Sequence, residues 1–449
     1  MIIVKIPPKF ESEKNYIVST LLDTFLGIRY KIESANTSKY EFVLPNNHTL
    51  CISDDFFKNY DEKEISYLQK NALPKSKKVM HSPIDPKASL ECLYGNTHIS
   101  VQTSTIQCDI DIIASAFFML TRWEEHVNKN RDQHNRFPVT ESIAYKHDFL
   151  DRPIVNEYVE FIWSCLQHLG YDGKRKERQF KMYLTHDVDN PYRWGSFVSG
   201  PKAVLGDLFK RKSVSLAFQS LKSFYKTRIL FRTDPYDTFD WIMQLSKDHG
   251  LTSSFFFMSG GTSKYDNFYK ITSHKIRKLM QRISAQGHSI GFHPSYNSYN
   301  NQNQFHKEKR LLEGSLGQKV SHGRQHYLRF EAPKTWQIWE DAGLKVDSTL
   351  GYPEKAGFRC GVCYEFPVFN FLTRQPLKLI ERRLIAMEGS FVDYQRQRPS
   401  DMKKSLNKLH QMSQKYNGQF VLLWHNSALN ESPWVNYQEV YRSLLVKTL

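Results

Sequence analysis

Long apolar runs are missing from this sequence. No stretch of its 449 residues is long and apolar enough to cross a bilayer as a helix. The opening segment, MIIVKIPPKFESEKNY, has no basic region followed by an apolar one. It therefore does not read as a secretory signal, and a cytoplasmic protein is the expectation. Cysteine is scarce: six in so long a chain do not make a disulfide framework. The single C-x-x-C, Cys360 to Cys363, lacks the second pair that a zinc ribbon needs, so its thiols are expected to be structural or incidental. Zinc-finger and RNP-type signatures are absent too. The net charge of +16 thus predicts affinity for anionic surfaces or polymers in general, and no specific nucleic-acid partner.

What is present fits a globular α/β protein. Apolar residues make up 40% of the chain, and the length allows two or three domains. Up to about residue 105, short strand-like runs such as YEFVLP and HTLCIS alternate with polar loops. Residues 110–127 and 155–171 carry apolar positions at helical spacing and predict buried helices. The charged stretch DGKRKERQF, 172–180, reads as a linker. The expected division is a smaller N-terminal α/β domain, 1–175, whose role the residues do not reveal, and a second domain, 180–449. Within the latter, Phe209 to Arg232 interleaves apolar residues with Lys and Arg. That pattern suits an interfacial helix in peripheral contact with a membrane, or equally a solvated helical insertion.

From residue 180 onward a grammar repeats. A helical segment ends in Gly (Gly250, Gly287, Gly343, Gly418), an apolar strand follows, and the strand ends in polar residues. With MYLTHDVD, HYLRF and CYEFPVF included, about seven strands result, which predicts a distorted (β/α) barrel. In such folds the site is built at the C-terminal strand ends. Asp187 and Asp189, His293, Arg329, Asp347 and His425 all fall there. Carboxylates and imidazoles converging from several strands suit a hydrolytic site with a divalent metal. Each residue also has a plainer reading: an Arg329–Asp347 ion pair, packed histidines, or Asn297 as a turn residue.

The order and placement of these motifs resemble the polysaccharide deacetylase (NodB homology) family of carbohydrate esterases. The resemblance covers about residues 180–430 and rests on THDVD, GHSIGFHPSYN, Arg329 with Pro333, Asp347, and LLWH. It implies metal-dependent hydrolytic deacetylation of an N- or O-acetylated saccharide, by a hydrolase acting on non-peptide carbon–nitrogen bonds. Asp187 would be the base toward a metal-bound water and His425 the acid. Asp347 would orient His425, and Arg329 would keep Asp187 ionised. Asp189, His293 and the position of Asn297 would hold the metal, expected to be Zn²⁺. Where Asn297 stands, the family has a second histidine. His288, His326 and water are the other candidates for that place, although regular strand alternation turns both histidines away. By position, Tyr352, Phe358 and Arg359 would line the sugar groove. The alternative is a catalytically degenerate domain that binds glycans or scaffolds polysaccharide assembly.

Overall fold

The computed structural model describes residues 1–75, 79–84, 89–266 and 269–446. Eight strands occupy the first part: β1 (Ile2–Ile6), β2 (Tyr30–Ser34), β3 (Lys39–Val43), β4 (Thr49–Ser53), β5 (Val79–His81), β6 (Ser89–Glu91), β7 (Gly95–Val101) and β8 (Thr105–Ile110). Six of them form one mixed sheet in the order β2-β1-β3-β4-β8-β7, and β5 pairs with β6. In β1 and β8 buried residues alternate with half-buried ones, as expected when one face meets the core. The expected helix at 110–127 is two helices, Ile112–Thr121 and Trp123–Val127. Arg122 separates them in a left-handed conformation (φ 56°). The helix at Ile154–His168 lies where its periodicity put it, and residues 171–180 have neither helix nor strand.

The rest of the chain builds a nine-stranded sheet. Its members are β9 (Lys181–Val188), β10 (Ser253–Phe257), β11 (Ser289–Phe292), β12 (His322–Gly323), β13 (Val346–Asp347), β14 (Phe366–Asn370), β15 (Gln375–Glu381), β16 (Ala386–Met387) and β17 (Gln419–Leu423). The order is β14-β15-β13-β12-β11-β10-β9-β17-β16. All pairings are parallel except that of the β14–β15 hairpin, which caps one end. No pairing among the described residues joins β14 to β16, so the parallel run is an open sheet rather than a closed barrel. HYLRF is not a strand. Residues His326–Leu328 form a 3₁₀ turn with Tyr327 and Leu328 at positive φ, and the strand of that repeat is the two-residue β12. Gly250, Gly287 and Gly343 do end helices left-handed, but Gly418 does not: Asn417 (φ 49°) takes that conformation. Gly418 instead allows close packing, since a Cβ there would meet Cys363 Sγ at 2.4 Å.

The two sheets share one buried apolar cluster that runs from Ile2 to Leu445. Tyr16 donates to the Pro367 carbonyl across it at 2.8 Å. At its polar centre Glu125 accepts from Arg122 at 2.9 Å and from both Nε (2.9 Å) and Nη2 (2.6 Å) of Arg359, all three residues being buried. Burial alone would raise the Glu125 carboxyl, but Arg359 and Arg122 override it and bring it down to about 2. Losing one partner of a buried network leaves charge without compensation. Glu125→Gln should therefore cost roughly 3–5 kcal/mol in urea unfolding, with part recovered by adding Arg359→Met.

Candidate metal and catalytic site

β9 carries the first two acids to its end. Asp187 and Asp189, two apart, share a side, and His186 between them faces the other way. His186 is packed and fully bonded: Nδ1 donates to the Trp424 carbonyl at 2.6 Å, and Nε2 accepts from the Ser253 hydroxyl at 3.1 Å. Burial brings its imidazole down to about 4, so it is neutral.

His293 follows β11 directly. Its Nδ1 is 2.6 Å from the Arg324 carbonyl, which can only accept, so Nδ1 carries the proton. In the neutral ring Nε2 is then a lone pair, and it faces Asp189 Oδ1 at 3.2 Å. Both atoms are buried, and neither has a hydrogen-bond partner. Two acceptors held face to face repel unless a proton or a cation lies between them. His326 completes the group. Its Nε2 is 3.7 Å from the same Oδ1, and its Nδ1 is 3.4 Å from Asp266. Asp266 is itself fixed by the Tyr296 and Ser263 amides at 2.7 and 2.8 Å. Ligand atoms of Asp189, His293 and His326 all lie within 4.8 Å of one another. Imidazoles anchored at Nδ1 by a carbonyl or carboxylate, with Nε2 turned inward, are what a metal site requires, so these three residues could hold a metal ion. Asp189 is held below the usual carboxylate range, because the His326, His293 and His425 imidazoles outweigh its burial.

Around this group the structure reassigns several roles. Asn297 is exposed, and its Oδ1 accepts from Arg329 at 3.1 Å, so the third converging side chain is His326. Arg329 does not reach Asp187. It donates to the carbonyls of His134 (2.9 Å) and Tyr296 (2.5 Å) and lies over the Tyr296 and Tyr299 rings. The guanidinium on Asp187 belongs to Arg324, at 2.9 Å, because Arg324 leaves β12 directly whereas Arg329 lies beyond the 3₁₀ turn. Asp347 does not orient His425. The two belong to β13 and to the end of β17, five steps apart in the sheet order, and Asp347 Oδ1 accepts instead from the Thr349 amide at 2.9 Å and from the Thr349 hydroxyl. Glu388, at the end of the adjacent β16, takes that place: His425 Nδ1 is 2.5 Å from Glu388 Oε1. Burial would lower the His425 imidazole, but the Glu388 carboxylate raises it to about 10. His425 Nε2 points back to Asp189 Oδ2 at 3.6 Å.

Asp187, Asp189, His293, His326, Glu388 and His425 line a cleft of about 330 Å³ together with Arg136, Tyr327, Tyr394 and Trp434. Tyr352, Phe358 and Arg359 are not in it. All three are buried, Arg359 against Glu125 and Tyr352 accepting from Arg122 at 3.2 Å, so their loop is a packing element. Burial pushes the Cys360 and Cys363 thiols up to about 12, which makes them inert. Sequence reading missed Glu388 because a two-residue strand gives no periodic signal. It considered His326 but turned it outward, having taken a turn for a strand.

Residues 2–171 match the profile of a family of unknown function, DUF7033. None of the curated proteins matches the chain. Among solved structures it is similar to a protein from Mycobacterium smegmatis described as a polysaccharide deacetylase, with 14% identity and a TM-score of 0.38, over 61% of this chain and 84% of that one. It is also similar to one from Pseudomonas aeruginosa PAO1 described in the same terms, with 11% identity and a TM-score of 0.37, over 62% and 90%. A CE4 family pseudoenzyme from Bacillus anthracis gives 12% identity and a TM-score of 0.30, over 60% of each chain. These likenesses are partial.

Two predictions test the geometry. His326→Ala should weaken Zn²⁺ binding by at least about 100-fold and Asp266→Asn by about 10–100-fold in calorimetric titration, while Asn297→Ala leaves it unchanged. The second concerns Asp347, whose neighbour in register is Glu381. Burial pushes Asp347 up to about 7 and Glu381 well above the carboxylate range. The folded chain thus keeps protons that the unfolded chain releases. The pair's contribution to stability is fully present at low pH and is lost as pH rises from the ordinary carboxylate value through about 7. Asp347→Asn should flatten that part of a series of urea midpoints against pH.

Proposed function

We propose that the cleft is the active site of a metal-dependent hydrolase that removes an acetyl group, N- or O-linked, from a saccharide. The observation that carries this is the convergence of Asp189, His293 and His326 on one point, with Asp187 and His425 beside it. The saccharide part of the reading is supported by the motifs on successive strand ends that resemble the NodB-type deacetylases. Two imidazoles and one carboxylate with open positions suit Zn²⁺. When bound, such a cation supplies a Lewis acid that polarises the acetyl carbonyl and acidifies water. The chain's own residues do the rest. Arg324 holds Asp187 at 2.9 Å and points it at the cluster, so Asp187 is the base that takes the proton of the attacking water. Glu388 aligns His425 through Nδ1 and leaves Nε2 facing the cleft, where it hands a proton to the departing amine or alcohol. Asp266 and the Arg324 carbonyl hold the two other imidazoles in their tautomers.

Asp187→Asn should lower acetate release from acetylated chito-oligosaccharides by about 10²–10⁴-fold with Zn²⁺ content unchanged. Glu388→Gln should lower it while leaving metal and substrate affinity nearly intact. If the purified protein takes up no divalent metal and releases no acetate from any acetyl sugar, the degenerate, glycan-binding alternative replaces this reading.

A further inference from the structure

Between β9 and β10 the chain leaves the sheet and forms a hairpin of two helices, Ser199–Phe209 and Val214–Arg228. Its inner side is firmly built. Phe224 meets the buried Trp194 edge-on, with ring centroids 5.5 Å apart. Asp207, 1% exposed, accepts from the Ser220 hydroxyl at 2.6 Å and pairs with Arg211, which ties the first helix to the second. Ala217 and Ser220 are buried as well.

The outer side has no such partners. Val214, Phe218, Leu221 and Tyr225 are spaced four, three and four apart, which puts them on one stripe of the second helix. All four are more than half exposed, Val214 by 76% and Phe218 by 66%. The first helix adds Leu205 and Phe209 (74%), and Phe231 beyond the hairpin is 90% exposed. Water is a poor environment for so many large apolar side chains on one element, and soluble surfaces rarely carry them without a partner. The charge around them is one-sided. From Phe197 to Arg232 there are eight Lys or Arg residues and a single acid, Asp207, which is buried and already paired.

Apolar insertion and cationic attraction are both satisfied by one surface. We propose that this hairpin docks the protein on the face of an anionic lipid bilayer. The exposed Phe, Leu and Val side chains enter the headgroup boundary, and the flanking Lys and Arg meet the lipid phosphates. A second copy of the chain is the less favourable occupant, because a two-fold contact would set each cationic hairpin against its own charge. The docked face also lies near the cleft. A cavity of about 720 Å³ under the hairpin, lined by Arg193, Arg211, Lys222 and Arg232, shares Ser427 and Trp434 with the metal-binding cleft. Docking therefore brings the cleft to the bilayer surface, within reach of a substrate anchored there. The docking itself rests on the hairpin and not on the deacetylase reading.

The test uses the full chain and sedimented vesicles of phosphatidylcholine, with and without phosphatidylglycerol, and needs no activity. The protein should pellet with the phosphatidylglycerol vesicles, stay in solution with pure phosphatidylcholine, and be released by high salt. The triple variant Phe209→Ser, Phe218→Ser, Phe231→Ser should bind at least about tenfold more weakly with its thermal unfolding unchanged, since all three side chains are exposed. Lys222→Glu with Lys226→Glu should have a similar effect. The proposal is overturned if the wild type stays in solution with the anionic vesicles, or if the triple variant pellets as well as the wild type. It is equally overturned if light scattering shows a dimer that the triple variant dissolves, for the stripe would then be a contact between copies.

Discussion

One fully buried guanidinium, Arg324, ties the site together. Its amide donates to the Phe292 carbonyl at 3.0 Å, which fixes β12 against the end of β11. Its carbonyl accepts from His293 and so sets that imidazole's tautomer. Its Nε donates to the Ser348 carbonyl at 2.9 Å, and its Nη1 holds Asp187. A buried cation needs partners, and Nε and Nη1 find theirs at the strand ends themselves. Burying this one residue therefore enforces the spacing between Asp187, His293 and the sheet. Moving Arg324 would disturb all three at once, whereas Asp187 or His293 each depend on it for a single contact.

That arrangement requires an irregular chain on either side of Arg324. Gly323 sits so close to the Phe292 carbonyl that a Cβ would lie 1.9 Å from its oxygen, so only glycine lets β12 approach β11 at this point. After Arg324 the chain turns, and Tyr327 and Leu328 adopt left-handed conformations unusual for bulky residues. Such backbone is disfavoured by about 1–3 kcal/mol per residue and persists where its surroundings fix it. The fixing groups are visible: Gln325 donates to the Pro294 and Ser295 carbonyls, and the Arg136 guanidinium donates to the Tyr327 carbonyl. The result is that His326 comes round to the side of Asp189.

This explains which parts were legible in the sequence. Asp187, Asp189, His293 and His425 sit at the ends of regular apolar strands, and strand alternation is enough to give them a common side. The residues that sequence reading misplaced all depend on something other than regular strand geometry. His326 depends on the turn. Glu388 follows a strand too short to show a period. Arg324 was passed over for Arg329 because HYLRF looks more like a strand than HG does. Asp347 was joined to His425 through the family resemblance. In this open sheet, β16 and not β13 is the neighbour of β17.

The first part of the chain also shapes the cleft. The loop from Gly351 to Gly361 follows β13, a place from which it could have lined a groove. Glu125 and Arg122, from the segment between the two sheets, bind Arg359 and Tyr352 and draw that loop into the core. What remains exposed to the cleft at that side is Pro353, with Arg136 supplied by the same early segment. Arg136 is held by Asp132 at 2.7 Å and reaches both the Tyr327 carbonyl and the Tyr394 hydroxyl. The early segment thus does two jobs with two sets of charges, Glu125 with Arg122 and Arg136 with Asp132. It holds one loop in the core, and it braces the left-handed turn that carries His326. An open sheet has no far wall of strands to enclose its site, and here the segments after β12, β16 and β17 supply most of the cleft's lining, with Arg136 added from the early segment.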